Sequence, residues 1–304
     1  MFKRFLLFLS IVSVLTACVD DRDLSKNIVV AHILSNPDGL HPYNDNSVMR
    51  SFIFNYTQKS LVKLDLKTLE YIPSLAKSLP EISEDGLTYY YELREDAKWD
   101  DGSSITAKDV QFSVKLQLCP LTDNANVRGN YTSVIKNIEL DPSNPLKFIM
   151  HAWGKNVTNK IIFSEIWIQQ QSHWDAEGVL DDLTFENIHA PTFPEIESWS
   201  DWFSGFNHGD NRYQPQKLVG LGPYQVSEWE SGSYITIAKK ENWWGDADSS
   251  IYNQNYPDEI IFKIINDDAS VFLSLKSEEL DATNRIGTSK LFKLQLHDYF
   301  NEAY

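Results

Sequence analysis

Six short runs of apolar and β-branched residues, none longer than eight positions, set the main limit on what this chain can fold into. They are NIVVAHIL (27–34), LTYYYELR (87–94), LKFIM (146–150), YQVSEW (224–229), SYITIAKK (233–240) and EIIFKII (259–265). Runs this short, bounded by turn residues such as SNPDG (35–39), read as strands. Residues 47–61 and 268–280 read as helices. A third helix is expected behind Thr106: Asp109 follows three residues later, near the positive helix end, and Val110, Val114 and Leu118 share one face. Strands and helices do not alternate steadily, so the fold class is mixed α/β (α+β) rather than a doubly wound sheet. At 304 residues the chain exceeds what one core usually serves, which predicts two or more lobes. The stretch 190–216, with several Pro, Gly and Asn residues, is expected to join them.

The N-terminus carries a different message. MFKRFLLFLSIVSVLTAC (1–18) opens with Lys3 and Arg4, continues through an apolar run over 5–15, and ends in Thr16 and Ala17 before Cys18. That run is too short to span a bilayer as a helix, and its layout is that of a secretory signal. The ending LTAC resembles the bacterial lipobox, whose cysteine is acylated and becomes the new N-terminus; an ordinary signal peptide with a chance cysteine is the other reading. VDDRDLSKN (19–27) then reads as a polar tether. Cys119 would be the remaining thiol, unable to form an internal disulfide, and is expected to be a small buried hydrophobe. The sequons at Asn55, Asn130 and Asn156 carry no meaning behind a bacterial lipobox.

The formal charge is −16, from 43 acids against 27 bases. A nucleic-acid binder needs a basic surface and a motif, and the sequence offers neither. Catalytic and cofactor motifs fare no better. Asp100 and Asp101 are adjacent beside Trp99 and Gly102, yet neighbours on a turn face water; they are expected to shape the turn while Trp99 packs beneath it. GDADSS (245–250) begins like a calcium loop, but Ile251 and Pro257 stand where glycine and glutamate are required. The seven histidines lack zinc spacing. GLGPY (220–224) lacks the third glycine of a dinucleotide loop, and no nucleophile elbow, zincin helix or P-loop is present. No catalytic residue, metal ligand or cofactor is therefore assigned.

Three separated segments resemble the signature blocks of the family 5 solute-binding proteins of ABC importers, the oligopeptide and dipeptide binders. They are AKSLPEISEDGLTYYYELREDAKWDDGSSITAKDVQFSV (76–114), LVGLGPYQVSEWESGSYITIAKKENWWGD (218–246) and PDEIIFKIINDDASVFLSLKSEELDA (257–282). The last ends in SEELDA where the family carries Gly-Glu-Leu-Asp. Order and spacing agree from about Ile28 to Ala282, weakly between about 120 and 215.

The resemblance implies a periplasmic binding protein-like fold of the class II, peptide-binding type. Its expected layout is a signal and lipobox at 1–18, a tether at 19–27, a first lobe at 28–62 and 191–282, an inserted second lobe at 63–190, and the start of a third lobe at 283–304. Family members are longer, so most of the third lobe, which closes over the ligand, is expected to be missing. LHPYNDNSV (40–48) matches the family stretch that reads Leu-Asp-Pro and then lines the cleft, with His41 replacing the aspartate. On that match Asn46, Ser47 and Val48 are ligand-lining, with Tyr131 a further candidate in the second lobe. The implied protein is a lipid-anchored monomer facing the periplasm or the outside, binding peptides and delivering them to an ABC permease, with no catalysis of its own. A nickel, haem or sugar ligand is the alternative within the family. A surface glycan hydrolase, needing two carboxylates in a cleft, and a non-transport surface lipoprotein are the alternatives outside it.

Overall fold

The computed structural model describes residues 25–44, 47–65, 67–248 and 255–295. Its strands are β1 (Ile28–Ile33), β2 (Val62–Leu64), β3 (Tyr71–Pro73), β4 (Glu81–Ile82), β5 (Thr88–Glu92), β6 (Ile135–Leu140), β7 (Lys147–Ala152), β8 (Tyr224–Glu230), β9 (Tyr234–Lys239) and β10 (Glu259–Ile264). They form two four-stranded sheets, ordered β1-β10-β9-β8 and β4-β5-β7-β6, and a β2-β3 ribbon.

In the first sheet β1 runs parallel to β10, Ile28 opposite Glu259 through Ile33 opposite Ile264, and the other pairs are antiparallel. Strands about 230 positions apart are thus neighbours, so the chain leaves this sheet after β1 and returns to it at β8. Alternation sends Ile260 and Phe262 of β10, Ile235 and Ile237 of β9 and Tyr224 of β8 to one face. There they bury Ile53 and Phe54 of α1 (Val48–Thr57) together with Ile33 and Leu40. The opposite face holds Val30 against Val271 and Leu280, from the helix Asp268–Lys276 and the turn after it. The SEELDA tail then extends the sheet. The Asp281 carboxylate accepts Val30 N–H at 2.7 Å, His32 N–H donates to the Ala282 carbonyl at 2.9 Å, and Ala282 bridges parallel to Ala31.

The second sheet is antiparallel and shares a large core with α2 (Ala107–Leu118), in which Tyr89, Tyr91, Phe148 and Met150 meet Val110, Val114 and Leu118. The expected helix start is in place: Asp109 Oδ2 accepts from the Thr106 N–H at 2.8 Å and from its hydroxyl at 3.1 Å. Trp99 is 3% exposed beneath the turn. Cys119 closes α2 as a buried free thiol, which burial pushes up to about 11. Residues 190–216 depart from a loose connector, because the helix Glu197–Phe206 buries Trp199, Phe203 and Phe206 along one face. Aromatic spacing there outweighs the flanking Pro and Gly.

The two sheets are joined by a dense polar seam. Both Trp243 and Trp244 donate their indole N–H to the Leu221 carbonyl at 2.9 Å, and the Lys59 ammonium lies 5.1 Å from the Trp243 ring centre. Arg94 pairs with Asp248 at 2.8 Å. Asp100 and Asp101 are exposed, as expected, but they are not left to water. Asp100 accepts from Lys240 Nζ at 2.6 Å, and Asp101 from the Gln170 amide at 2.7 Å and the Ser103 hydroxyl at 2.6 Å. The hairpin that carries them therefore clamps one sheet to the other.

Candidate functional site

The segment 40–44 owes its shape to one side chain. His41 is fully buried; its Nδ1 accepts the backbone N–H groups of Tyr43 at 3.1 Å and Asn44 at 3.0 Å, and its Nε2 donates to the Phe206 carbonyl at 2.9 Å. An acceptor for the N–H groups two and three residues ahead is what an aspartate supplies in an Asx turn. The imidazole does the same and reaches across to the helix Glu197–Phe206 as well, lying edge-on to the Phe206 ring at 4.6 Å. Burial holds this histidine neutral, lowering its pKa to about 3.

Beyond that turn the chain enters α1. Ser47 caps the helix, its hydroxyl accepting from Arg50 N–H at 3.2 Å, and Val48 at the first position is 66% exposed. Asn46 lies outside the described residues, as does Cys18. Arg50 points back under the turn, donating Nη1 to the carbonyls of His41 and Pro42 at 2.9 Å each, with its guanidinium 5.0 Å from the Phe54 ring centre. Tyr43 is buried and donates to the carbonyls of Ser113 and Trp167, which ties this segment to α2 and to the stretch that follows α4 (Asn159–Ser164).

Tyr131, on α3 (Ala125–Thr132), packs partly buried against the larger core. Burial raises its pKa first, the charge of Glu165 raises it further, and that of Arg50 lowers it. Ser47 and Val48 stand one turn before Arg50 on α1. The resemblance pointed to Ser47, Val48 and Tyr131 but not to Arg50 or Tyr43, which hold the turn in place. No local motif marks those two, whose partners lie within the turn itself and on segments far along the chain. Among the described residues no group of three His, Cys, Asp or Glu side chains could hold a metal ion. The adjacent Asp100 and Asp101, each engaged by a structural partner, do not offer the free acid and base of a hydrolase.

The architecture is thus two sheets linked by a chain that leaves the first and returns to it. The chain belongs to the bacterial extracellular solute-binding proteins, family 5, whose family model (described as "Middle") matches residues 70–304. It is 21% identical over 248 residues to the oligopeptide-binding protein AppA of Bacillus subtilis, an alignment covering 81% of this chain and 38% of that protein. It is 28% identical over 223 residues to the glutathione-binding protein GsiB of Escherichia coli, covering 72% of this chain and 36% of the relative. The solved structure of B. subtilis AppA in complex with a nonapeptide superposes with a TM-score of 0.67 at 19% identity, over 89% of this chain and 46% of that one. The chain spans less than half of each of these proteins.

Proposed function

We propose that this chain belongs to an extracytoplasmic receptor that binds peptides and passes them to an ABC permease, anchored to the membrane by a lipid on Cys18. The observation that carries the reading is the family match over 70–304, supported by relatives named for binding an oligopeptide and glutathione. The receptor works as a monomer facing the periplasm or the outside, uses no cofactor and catalyses nothing. Ser47 and Val48, with Asn46 before them and Tyr131 opposite, line the near wall of its cleft. An extended peptide satisfies its backbone polar groups against such a wall while its side chains occupy undemanding, watery space. The lobes follow the boundaries given above, 28–62 with 191–282 and the inserted 63–190. The sheet topology supports that layout, since β1 pairs with β10 across the whole intervening segment.

The test is a titration of the purified protein, up to millimolar ligand, with a mixture of tri- to pentapeptides, and separately with glutathione, a nickel–histidine complex, haem and a monosaccharide. Saturable shifts in backbone amide signals of 40–50 and around Tyr131 with peptide are expected. Saturation by a non-peptide compound, with peptides inert, would replace the peptide reading by one of the other family ligands.

A further inference from the structure

The second sheet buries one face in the core it shares with α2, through Tyr89, Tyr91, Phe148 and Met150. Alternation therefore turns Tyr90 of β5 and Ile149 of β7 to the other face. Strand pairing then lines up four residues in one row across all four strands. Glu81 on β4 stands opposite Tyr90, Tyr90 opposite Ile149, and Ile149 opposite Glu139 on β6. The row runs through a recess of about 560 Å³, which Asp141 and Lys147 also line.

An antiparallel sheet can leave one face to water, and such a face is then polar. This row is instead apolar at its centre and acidic at both ends. Tyr90 is 47% exposed, Ile149 is half-buried beside it, and Glu81 and Glu139 are exposed. An aromatic centre within a charged margin is the pattern of a protein contact surface. The end carboxylates are open to an incoming group. Among the described residues Glu81 has no hydrogen bond or ion pair, and Glu139 stands 3.2 Å from the His151 imidazole of the neighbouring strand. Two residues along β5 from Tyr90, Glu92 is by contrast already paired, with Lys77 at 2.8 Å and Lys147 at 3.8 Å.

The spacing of the row selects the shape of its occupant. β4 and β6 are three strand spacings apart, about 14 Å. Four residues of extended chain, at about 3.4 Å each, span the same length, and positions i, i+2 and i+4 face one side. We infer that this row docks an extended, basic segment of a partner protein laid across the strands, with a Lys or Arg at each end and an apolar residue midway. The two cations meet Glu81 and Glu139, and the apolar side chain lies on Tyr90 and Ile149. Charge complementarity at both ends sets the register and rejects acidic segments. No residue of the near wall takes part, so the inference stands apart from the peptide-binding reading.

Three pentapeptides, each N-acetylated and C-amidated, test it: Lys-Thr-Leu-Thr-Lys, Glu-Thr-Leu-Thr-Glu and Lys-Thr-Ser-Thr-Lys. Titrated by NMR into the purified protein at low salt, up to millimolar peptide, the first should bind about tenfold more tightly than either of the others. Its shifts should fall on the backbone amides of 81–92 and 137–151, and its affinity should drop as salt is added. Glu81→Lys should abolish the preference for the basic peptide at an unchanged melting temperature, because Glu81 has no internal partner to lose. Tyr90→Thr, which keeps a good strand former at that position, should weaken binding of the first peptide while the acidic one stays weak. Binding that ignores charge, a preference that survives Glu81→Lys, or no shift on this face would overturn the docking row. Shifts confined to 40–50 would place the peptide in the cleft instead and equally overturn it. So would concentration-dependent shifts of the same amides without peptide, which would make this face a contact between copies of the chain.

Discussion

Acid should loosen the wall through His41, and the size of the effect follows from its surroundings. In the unfolded chain this imidazole takes a proton with a pKa near 6.5; in the folded protein burial lowers that to about 3. As pH falls, the unfolded state therefore binds the proton first, and stability is lost between pH 6.5 and 3. From pH 7 to pH 5 the linkage integrates to about 2 kcal/mol of lost stability, and to about 3 kcal/mol by pH 4. The geometry points the same way. A proton on Nδ1 would face the two N–H groups of Tyr43 and Asn44 that now donate to it. Other groups oppose the trend, since Asp109 and Glu165 have pKa values raised by burial and gain protons more readily when folded. Comparison with His41→Asn removes their contribution, because asparagine can still accept from the turn and does not titrate. Urea unfolding followed by tryptophan fluorescence should show wild type losing about 2 kcal/mol more than His41→Asn between pH 7 and pH 5. Equal losses, or an imidazole ¹⁵N titration placing His41 above pH 6 in the folded protein, would refute the argument; the NMR measurement stands even if the variant folds poorly.

Further outcomes follow from the same packing. Gly222→Ala would set a Cβ 2.2 Å from the Tyr56 carbonyl oxygen, so the close packing of the segment before β8 against the end of α1 must open; a loss of about 3 kcal/mol or more in chemical unfolding is expected. Trp99→Ala should cost about 3–5 kcal/mol in the same assay. Asp100→Ala should cost about 1–2 kcal/mol, more than an ordinary exposed pair, because its partner Lys240 is only 9% exposed and keeps just the Gly220 carbonyl. Cys18→Ser should move the protein from the membrane fraction to the soluble fraction and end labelling by a fatty-acid probe; unchanged retention would remove the lipid anchor.

What the sequence revealed, and what it hid, divides along a physical line. The six apolar runs each became a strand because strand formation here is local: short alternating segments bounded by turns have few other ways to bury one face. The helix behind Thr106 was equally legible, since its cap and its apolar face lie within a dozen residues. β6 and the helix Glu197–Phe206 were not read, the first because IKNIEL is half polar on an outer strand, the second because its flanks mimic a linker. Asp100 shows a subtler limit. Its turn conformation was readable from DDG, but Lys240 lies 140 positions away, so the charge read as solvated became a clamp between sheets.

The wall carries that reasoning to its end. His41 looked like a departure from the family's aspartate, and in composition it is. In the fold it supplies the same acceptor to the same turn, and adds a bond to Phe206 that a carboxylate is too short to reach and, lacking a proton, could not donate. The substitution therefore keeps the wall's shape while removing a negative charge from beneath it. Arg50, which would sit naturally beside an aspartate, turns instead to the His41 and Pro42 carbonyls. Shape is held by a neutral ring under the wall. His41→Asp should accordingly put a buried charge beside Arg50, draw its guanidinium from the His41 and Pro42 carbonyls, lose the bond to Phe206, and lower the melting temperature; an unchanged melting temperature would refute the reasoning.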